Sequence, residues 1–124
     1  MTPSLLRKVN LLLFLSLTLG IASCSDYMED LVRSGSFNVC PNKTVDQLFA
    51  QYLNGTEWDS FIGDDGEFYV NCSGQGEYNS TYSDILIQFI VLGDEWEINA
   101  IEVNSVPIDQ YEIEAAVVLM CSGD

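Results

Sequence analysis

Between Glu67 and Asn104, apolar side chains recur at alternate positions, and turn dipeptides interrupt the pattern twice. A period of two is the mark of strands packed on one face, because successive side chains of an extended chain point to opposite sides. Phe68, Val70 and Cys72 alternate with Tyr69, Asn71 and Ser73 in a first strand, Glu67 to Tyr78. Gly74 and Gly76 suggest a bend or bulge in it. Asn79-Ser80 turns the chain into a second strand, Tyr82 to Leu92, with Ile85, Ile87, Phe89 and Val91 on its core side. Its other side is also partly apolar (Leu86, Ile90, Leu92), as expected of a strand in the middle of a sheet. Gly93-Asp94 leads to a third strand, Glu95 to Asn104, whose phase changes: Trp96 and Ile98 keep one parity, Ile101 and Val103 the other. A bulge near Asn99-Ala100 would return all four to one face. Both turns are short, so the strands should form an antiparallel meander.

A helix is expected on each side of this meander. Thr44 and Gln47 form a capping box that satisfies two otherwise orphaned amides. Val45, Leu48, Phe49, Tyr52 and Leu53 follow as one apolar stripe, and Asn54-Gly55 supplies a left-handed stop. Trp58 and Phe61 are then expected in a loop, plugging the end of the core, with a ligand-binding aromatic pair as the alternative. After the strands, Pro107 suits the first turn of a second helix, with Ile108, Tyr111, Ala115, Val118 and Leu119 as its stripe, ending near Cys121. The fold class expected is therefore α+β: a three-stranded antiparallel meander with an N-terminal and a C-terminal helix, α-β-β-β-α. Ahead of it, Tyr27, Met28, Leu31 and Val32 suit one or two amphipathic turns, broken at Ser34-Gly35-Ser36.

The start of the chain has a different character. Arg7 and Lys8 precede Leu11 to Ile21, an 11-residue apolar run. A bilayer-spanning helix needs about 20 apolar residues, so this run suits an export signal. Ile21-Ala22-Ser23-Cys24 resembles a bacterial lipobox: a branched apolar residue, two small residues and a cysteine. The resemblance implies that the Cys24 sulfur receives a diacylglyceryl group and that cleavage follows before it. The chain then divides into a signal peptide (1–23), a lipidated tether (24–39) and a single α+β domain (40–124). Two or more acyl chains give stable anchoring. Ser25, in the place where Asp would favour inner-membrane retention, leans towards the outer membrane of a bacterial envelope. Four Asn-x-Ser/Thr sequons, at Asn42, Asn54, Asn71 and Asn79, support the competing reading of a secreted, non-lipidated protein. Asn71 falls in mid-strand, a poor place for a glycan.

A second resemblance covers Thr44 to Pro107. The capped helix, Trp58 and Phe61, Val70-Asn71-Cys72-Ser73-Gly74, Gln88-Phe89-Ile90-Val91, and Ile101 through Pro107 are similar to a small uncharacterised domain of exported and membrane-anchored bacterial proteins. Ser105 stands where that pattern has Gly, and Cys72 where it has a large or branched apolar residue. These are packing motifs, and the resemblance implies no catalytic residues.

With Cys24 lipidated, Cys40, Cys72 and Cys121 remain, an odd set for an oxidising compartment. Cys72 shares a face with Phe68 and Val70 and reads as a buried thiol. Cys40 precedes the first helix and Cys121 ends the second, so a Cys40–Cys121 disulfide would staple the domain, worth up to about 4 kcal/mol by loop entropy. Cys40–Cys72 is the other pairing.

Chemistry-bearing groups are few. The chain has no His, which excludes imidazole acid–base catalysis and His-dependent triads. No Cys-x-x-Cys spacing occurs. A net charge of −15 excludes nucleic acid as a partner. After cleavage, Arg33 and Lys43 alone face all 19 acids, a formal −17. Asp64, Asp65 and Glu67 make one acidic loop, and Asp94, Glu95 and Glu97 another, suited to a divalent cation or small ligand, or to a small hydrolase. Neither loop has EF-hand spacing. No cofactor is implied. The function expected is that of a non-enzymatic, lipid-anchored envelope protein. It would contact the membrane through its lipid and dock an envelope protein through Leu86, Ile90 and Leu92, unless the second helix covers that face. The intact mass of the mature protein should correspond to a chain starting at Cys24 with lipid attached; a lipid-free mass would overturn the lipobox assignment.

Overall fold

The computed structural model describes residues 27–123. Helix α1 (27–33) and helix α2 (Val45–Tyr52) precede four strands, β1 (Asn54–Ile62), β2 (Phe68–Tyr78), β3 (Thr81–Leu92) and β4 (Glu95–Val103). A two-residue strand β5 (Val106–Pro107) and helix α3 (Gln110–Ser122) follow. The strands form one antiparallel sheet in the order β1-β2-β3-β4-β5. This corrects the α-β-β-β-α order and its three-stranded meander: among the described residues the sheet has five strands, and three helices accompany it.

The two unforeseen strands have identifiable causes. β1 occupies the stretch expected as a loop. Of its nine residues only Ser60 is buried, so no apolar alternation marks it. Leu53, the C-cap of α2, is already extended (φ −119°, ψ 142°), and the chain runs straight on into β1. Gly55 has φ +63° and sits in a bulge between Asn54 and Glu57, so Asn54-Gly55 starts a strand as well as ending a helix. At the other edge, Asn104 and Ser105 both have positive φ (51° and 69°), the backbone of a two-residue hairpin loop. That hairpin pairs Val106 with Val103 and Pro107 with Glu102. Pro107 thus lies on an edge strand, where its missing N–H costs no ladder bond. Helix α3 begins three residues later, under a capping box formed by Asp109 and Glu112.

That later start rotates α3. The expected stripe is mostly on the outside, with Tyr111 80%, Leu119 69% and Val118 52% exposed. Ile113 is the buried residue, and Met120 and Cys121 pack with it against the core. Apolar residues surround this helix, so periodicity could not choose its inner face.

The central strands follow the expected alternation, except that Phe68, expected on the core face, is 37% exposed at the start of β2. Val70, Cys72, Ile87, Phe89, Val91 and Ile101 line one side of the sheet and are buried beneath Met28 and Val32 of α1 and Val45, Leu48 and Phe49 of α2. Gln88 pairs with Ala100 and Phe89 with Ile98, which leaves Asn99 as the extra residue of a bulge. Trp96, Ile98, Ile101 and Val103 therefore all reach the core. Gly74 and Gly76 mark a close approach rather than the expected bend or bulge, since β2 pairs with β3 through both in unbroken register. A Cβ on Gly76 would stand 2.8 Å from the Tyr52 carbonyl oxygen, and one on Gly74 3.0 Å from that of Asn54. The missing side chains let the α2–β1 junction lie against β2. A disulfide joins Cys40 to Cys121, with Cα atoms 5.4 Å apart and 81 residues between them in sequence.

Phe89→Ala should cost about 3–5 kcal/mol in urea unfolding, because the side chain is fully buried among four aromatic rings. Gly76→Ala should cost about 1–3 kcal/mol although alanine is the less flexible residue. A neutral Gly76 variant would mean that α2 does not need this approach.

Candidate functional site

All three helices contribute to the core on one side of the sheet, and the register shows what the other side carries. Paired residues of adjacent strands project to the same face. Glu57, Ser73, Leu86 and Glu102 form one row across four strands. Asp59, Asn71, Gln88 and Ala100 form the next, and Phe61, Tyr69, Ile90 and Glu97 lie in a third, offset at its ends by the bulge in β4. Gln75 and Asp84 pair on the far side of the first row. These residues face away from the helices.

The face divides into two halves. Near the β1–β2 and β3–β4 turns it is apolar: Phe61 stacks on Tyr69 with ring centroids 5.4 Å apart, beside Ile90 and the 48%-exposed Leu92. The other half is a shallow groove of about 780 Å³, lined by residues of β1 to β4 and by Ser105 in the last turn. Its walls carry Glu57, Asp59, Asp84 and Glu102, and its floor Asn71, Ser73, Gln75 and Leu86. Gln75 donates to Asp84 (2.9 Å), Asn54 to the Tyr82 hydroxyl (3.1 Å), and Asn99 to Gln88 (2.8 Å). Asn71 is only 8% exposed, and its Oδ1 is buried without a hydrogen-bond partner.

Among the described residues no Lys or Arg lines the groove. Arg33 and Lys43 are the only Lys or Arg among the described residues. Arg33 donates to Glu29 (3.1 Å) and Asp46 (3.0 Å) and lies 5.2 Å from the Trp58 ring centroid, on the helical side. Partial burial works against its charge, and the two carboxylates more than offset that, so its pKa is raised. Lys43 donates to Gln51 (2.9 Å).

Leu86 and Ile90, proposed from the sequence as contact residues, are half-buried on the open face, and Leu92 closes its apolar end. Helix α3 does not cover them: its buried residue, Ile113, belongs to the core on the opposite side. Trp58 and Phe61 are not a converging pair. They sit on opposite faces of β1, Trp58 stacked inward on Phe49 (6.0 Å) and Phe89 (6.3 Å), Phe61 outward on Tyr69.

The acidic loops are tight hairpin turns. Asp65 accepts from the Glu67 amide (3.0 Å) and the Tyr69 hydroxyl (2.6 Å), which stitches the β1–β2 turn together. Asp94 accepts from the Tyr27 hydroxyl at 3.3 Å. Among the described residues no three or more His, Cys, Asp or Glu side chains converge as a metal site. Asp64 and Glu67 are exposed on the same turn. Three sequons are exposed (Asn42, Asn54, Asn79), while Asn71 is buried in β2.

Cys72 is free and fully buried. Burial pushes its pKa up to about 12, with a smaller contribution from Asp46. Cys24, the lipobox and the signal segment lie outside the described residues. Among the described residues, no helix is long and apolar enough to cross a membrane. No protein family, no curated protein and no solved structure matches the chain.

Sequence reasoning identified the apolar side of the open face and missed its acidic groove. The signal was present in Glu57 and Glu102, but it requires β1 as a strand to place Glu57 on the sheet.

Cys72 should resist alkylation in the native protein at pH 8 and react only after denaturation; rapid native labelling would contradict its burial. The Asp65 carboxyl is held below its ordinary range, chiefly by the Tyr69 hydroxyl and then by the Glu67 amide, and the Tyr69 hydroxyl is correspondingly raised. Their stabilisation is thus present above the unfolded carboxylate pKa and lost as pH falls through the lowered folded value. At the alkaline end it is lost as pH rises through the raised tyrosine pKa. In Tyr69→Phe, an NMR titration should show the Asp65 pKa rising towards the ordinary value; no movement would exclude this cause.

Proposed function

We propose that the chain is a non-enzymatic, lipid-anchored protein of a bacterial envelope that docks another envelope component through the open face of its sheet. The observation that carries the docking half is β3. It is a central strand with apolar residues on both sides, and among the described residues helices pack on only one of them. A sheet face with half-buried Leu86 and Ile90 and no covering helix among the described residues is a surface suited to a partner. The anchoring half rests on the lipobox residues Ile21-Ala22-Ser23-Cys24. Helix α1 is in place by Tyr27, so about 10 Å of extended chain would separate the lipidated sulfur from the folded body. The Cys40–Cys121 disulfide suits an oxidising compartment outside the cytoplasm.

Cys24→Ser should abolish incorporation of labelled palmitate and release the protein from the membrane fraction. A photo-crosslinker at Gln88, on the open face, should give a discrete adduct in intact cells that the same group at Tyr111, exposed on α3, does not give. Equal adducts from both positions, or none from Gln88, would count against docking at this face.

A further inference from the structure

One edge of the sheet is only partly closed. Strand β5 pairs with β4 at Glu102 and Val103, and the Ile108 amide extends that contact by donating to the Ile101 carbonyl (3.0 Å). From Glu95 to Ala100, β4 pairs with β3 on one side and, among the described residues, with no strand on the other. Alternate residues of an edge strand turn their amide and carbonyl outward, so this stretch is an open template for main-chain bonding. Asn99, the bulged residue, interrupts it and leaves Glu95 to Ile98 as a regular lane about 14 Å long.

A second groove lies beside this lane. It has a volume of about 1110 Å³ and separates β4 from α3. Trp96 and Ile98 line it from β4, Ile113 and Val117 from one face of α3, and Phe37 from the α1–α2 loop. Trp96, Ile98 and Val117 are only half-buried, so α3 does not close over them. A strand laid in the lane would send alternate side chains into this groove and the others along the open face. The lane itself says which side chains those are. Trp96 and Ile98 point to the groove side, whereas Glu95 and Glu97 pair with Leu92 and Ile90 and point to the open face. Among the described residues no Lys or Arg lines the groove to answer these two acids. A second copy of the chain does not fit, because it would set acids of β4 against acids of β4 on bodies that each carry a net charge of −15. We infer that β4 binds an extended segment of a partner protein as an added strand, with apolar side chains entering the groove beside α3 and the lysines or arginines between them meeting Glu95 and Glu97. Main-chain bonds to the edge supply affinity, and the alternation supplies specificity. This site is separate from the docking face proposed above and does not depend on it.

The test uses the full-length protein in neutral detergent. The probe is the end-capped peptide Lys-Val-Lys-Val-Lys-Val. Hydrogen exchange followed by NMR should show the outward amides within Glu95 to Ile98 slowing about tenfold at saturation, with the amides of β1 at the opposite edge unchanged. The same peptide methylated on every backbone nitrogen keeps its side chains and charge but cannot donate to an edge, and it should bind at least about tenfold more weakly. A Lys-Ser-Lys-Ser-Lys-Ser peptide, which has nothing to place in the groove, should weaken by a similar factor of about ten. Glu97→Gln should weaken the valine peptide about threefold, whereas Glu77→Gln, an exposed acid at the far end of β2, should leave its binding unchanged. Equal protection of β1, equal binding of either control peptide, equal weakening by the two substitutions, or unchanged exchange within Glu95 to Ile98 at saturation would each overturn the inference. So would a concentration-dependent dimer in sedimentation that the valine peptide dissolves, since the occupant of the edge would then be a second copy. Crosslinking from Gln88 in cells reads the open face alone, so the two readings fail separately.

Discussion

Packing on Phe89 is the interaction on which the rest of this molecule depends. Its ring lies 5.4 to 6.5 Å from those of Trp96, Phe49, Trp58 and Phe37, so one side chain gathers residues from the α1–α2 loop, α2, β1 and β4. Small domains of this length bury a modest share of their surface, and a single aromatic cluster supplies much of what holds the helices to the sheet. The cluster also sets what is left over. It draws the three described helices to one side, and Arg33 is drawn over Trp58 and between two carboxylates in the process. The opposite side keeps the surplus acids. The disulfide then ties the loop before α2 to the last turn of α3, closing the helical layer that the aromatic cluster began.

How much of this could be read from the sequence follows from where burial is decisive. β2, β3 and β4 bury alternate residues, and their faces, the two intervening turns and the Asn99 bulge were legible because a change of parity in an apolar pattern has few geometric solutions. Helix α2 was legible through its capping box. β1 was not, because an edge strand with one buried residue has no period to read, and its bulge at Gly55 resembles a helix stop. β5 was hidden by Pro107, which is as well suited to a helix's first turn as to an edge strand. The Gly74 and Gly76 pair was noticed for the wrong reason. These residues accommodate the backbone of the α2–β1 junction, and that contact exists only once β1 is in place.

The same omission explains the candidate site. Leu86 and Ile90 belong to β3 and were visible as a second apolar side. The groove needs Glu57 from β1 and Asn71 from β2 in one register with Glu102 from β4. A site spread over one row of four strands has no spacing in the sequence, because its members are separated by hairpins of unequal length. Residue type also misled: Asn71 within Asn-Cys-Ser looks like a sequon before it looks like a buried acceptor.

Anchor and groove can be related through the ends of the sheet. Tyr27 donates to Asp94, so the start of α1 lies at the end that carries the β3–β4 turn. Phe68 pairs with Val91, which puts the β1–β2 turn, with Asp64, Asp65 and Glu67, at that same end. A lipid on Cys24 would therefore bring the most acidic turns of the body closest to the bilayer, where anionic headgroups repel them over roughly a Debye length, about 8 Å at physiological salt. The groove occupies the opposite half of the open face, towards the Asn79-Ser80 and Asn104-Ser105 turns. Repulsion at the anchored end and a short tether would act together as an orienting device, tilting the sheet upright on the membrane. In that orientation the apolar strip of Phe61, Tyr69, Ile90 and Leu92 would lie nearest the lipid. The acidic half of the open face would then be turned away from the headgroup layer.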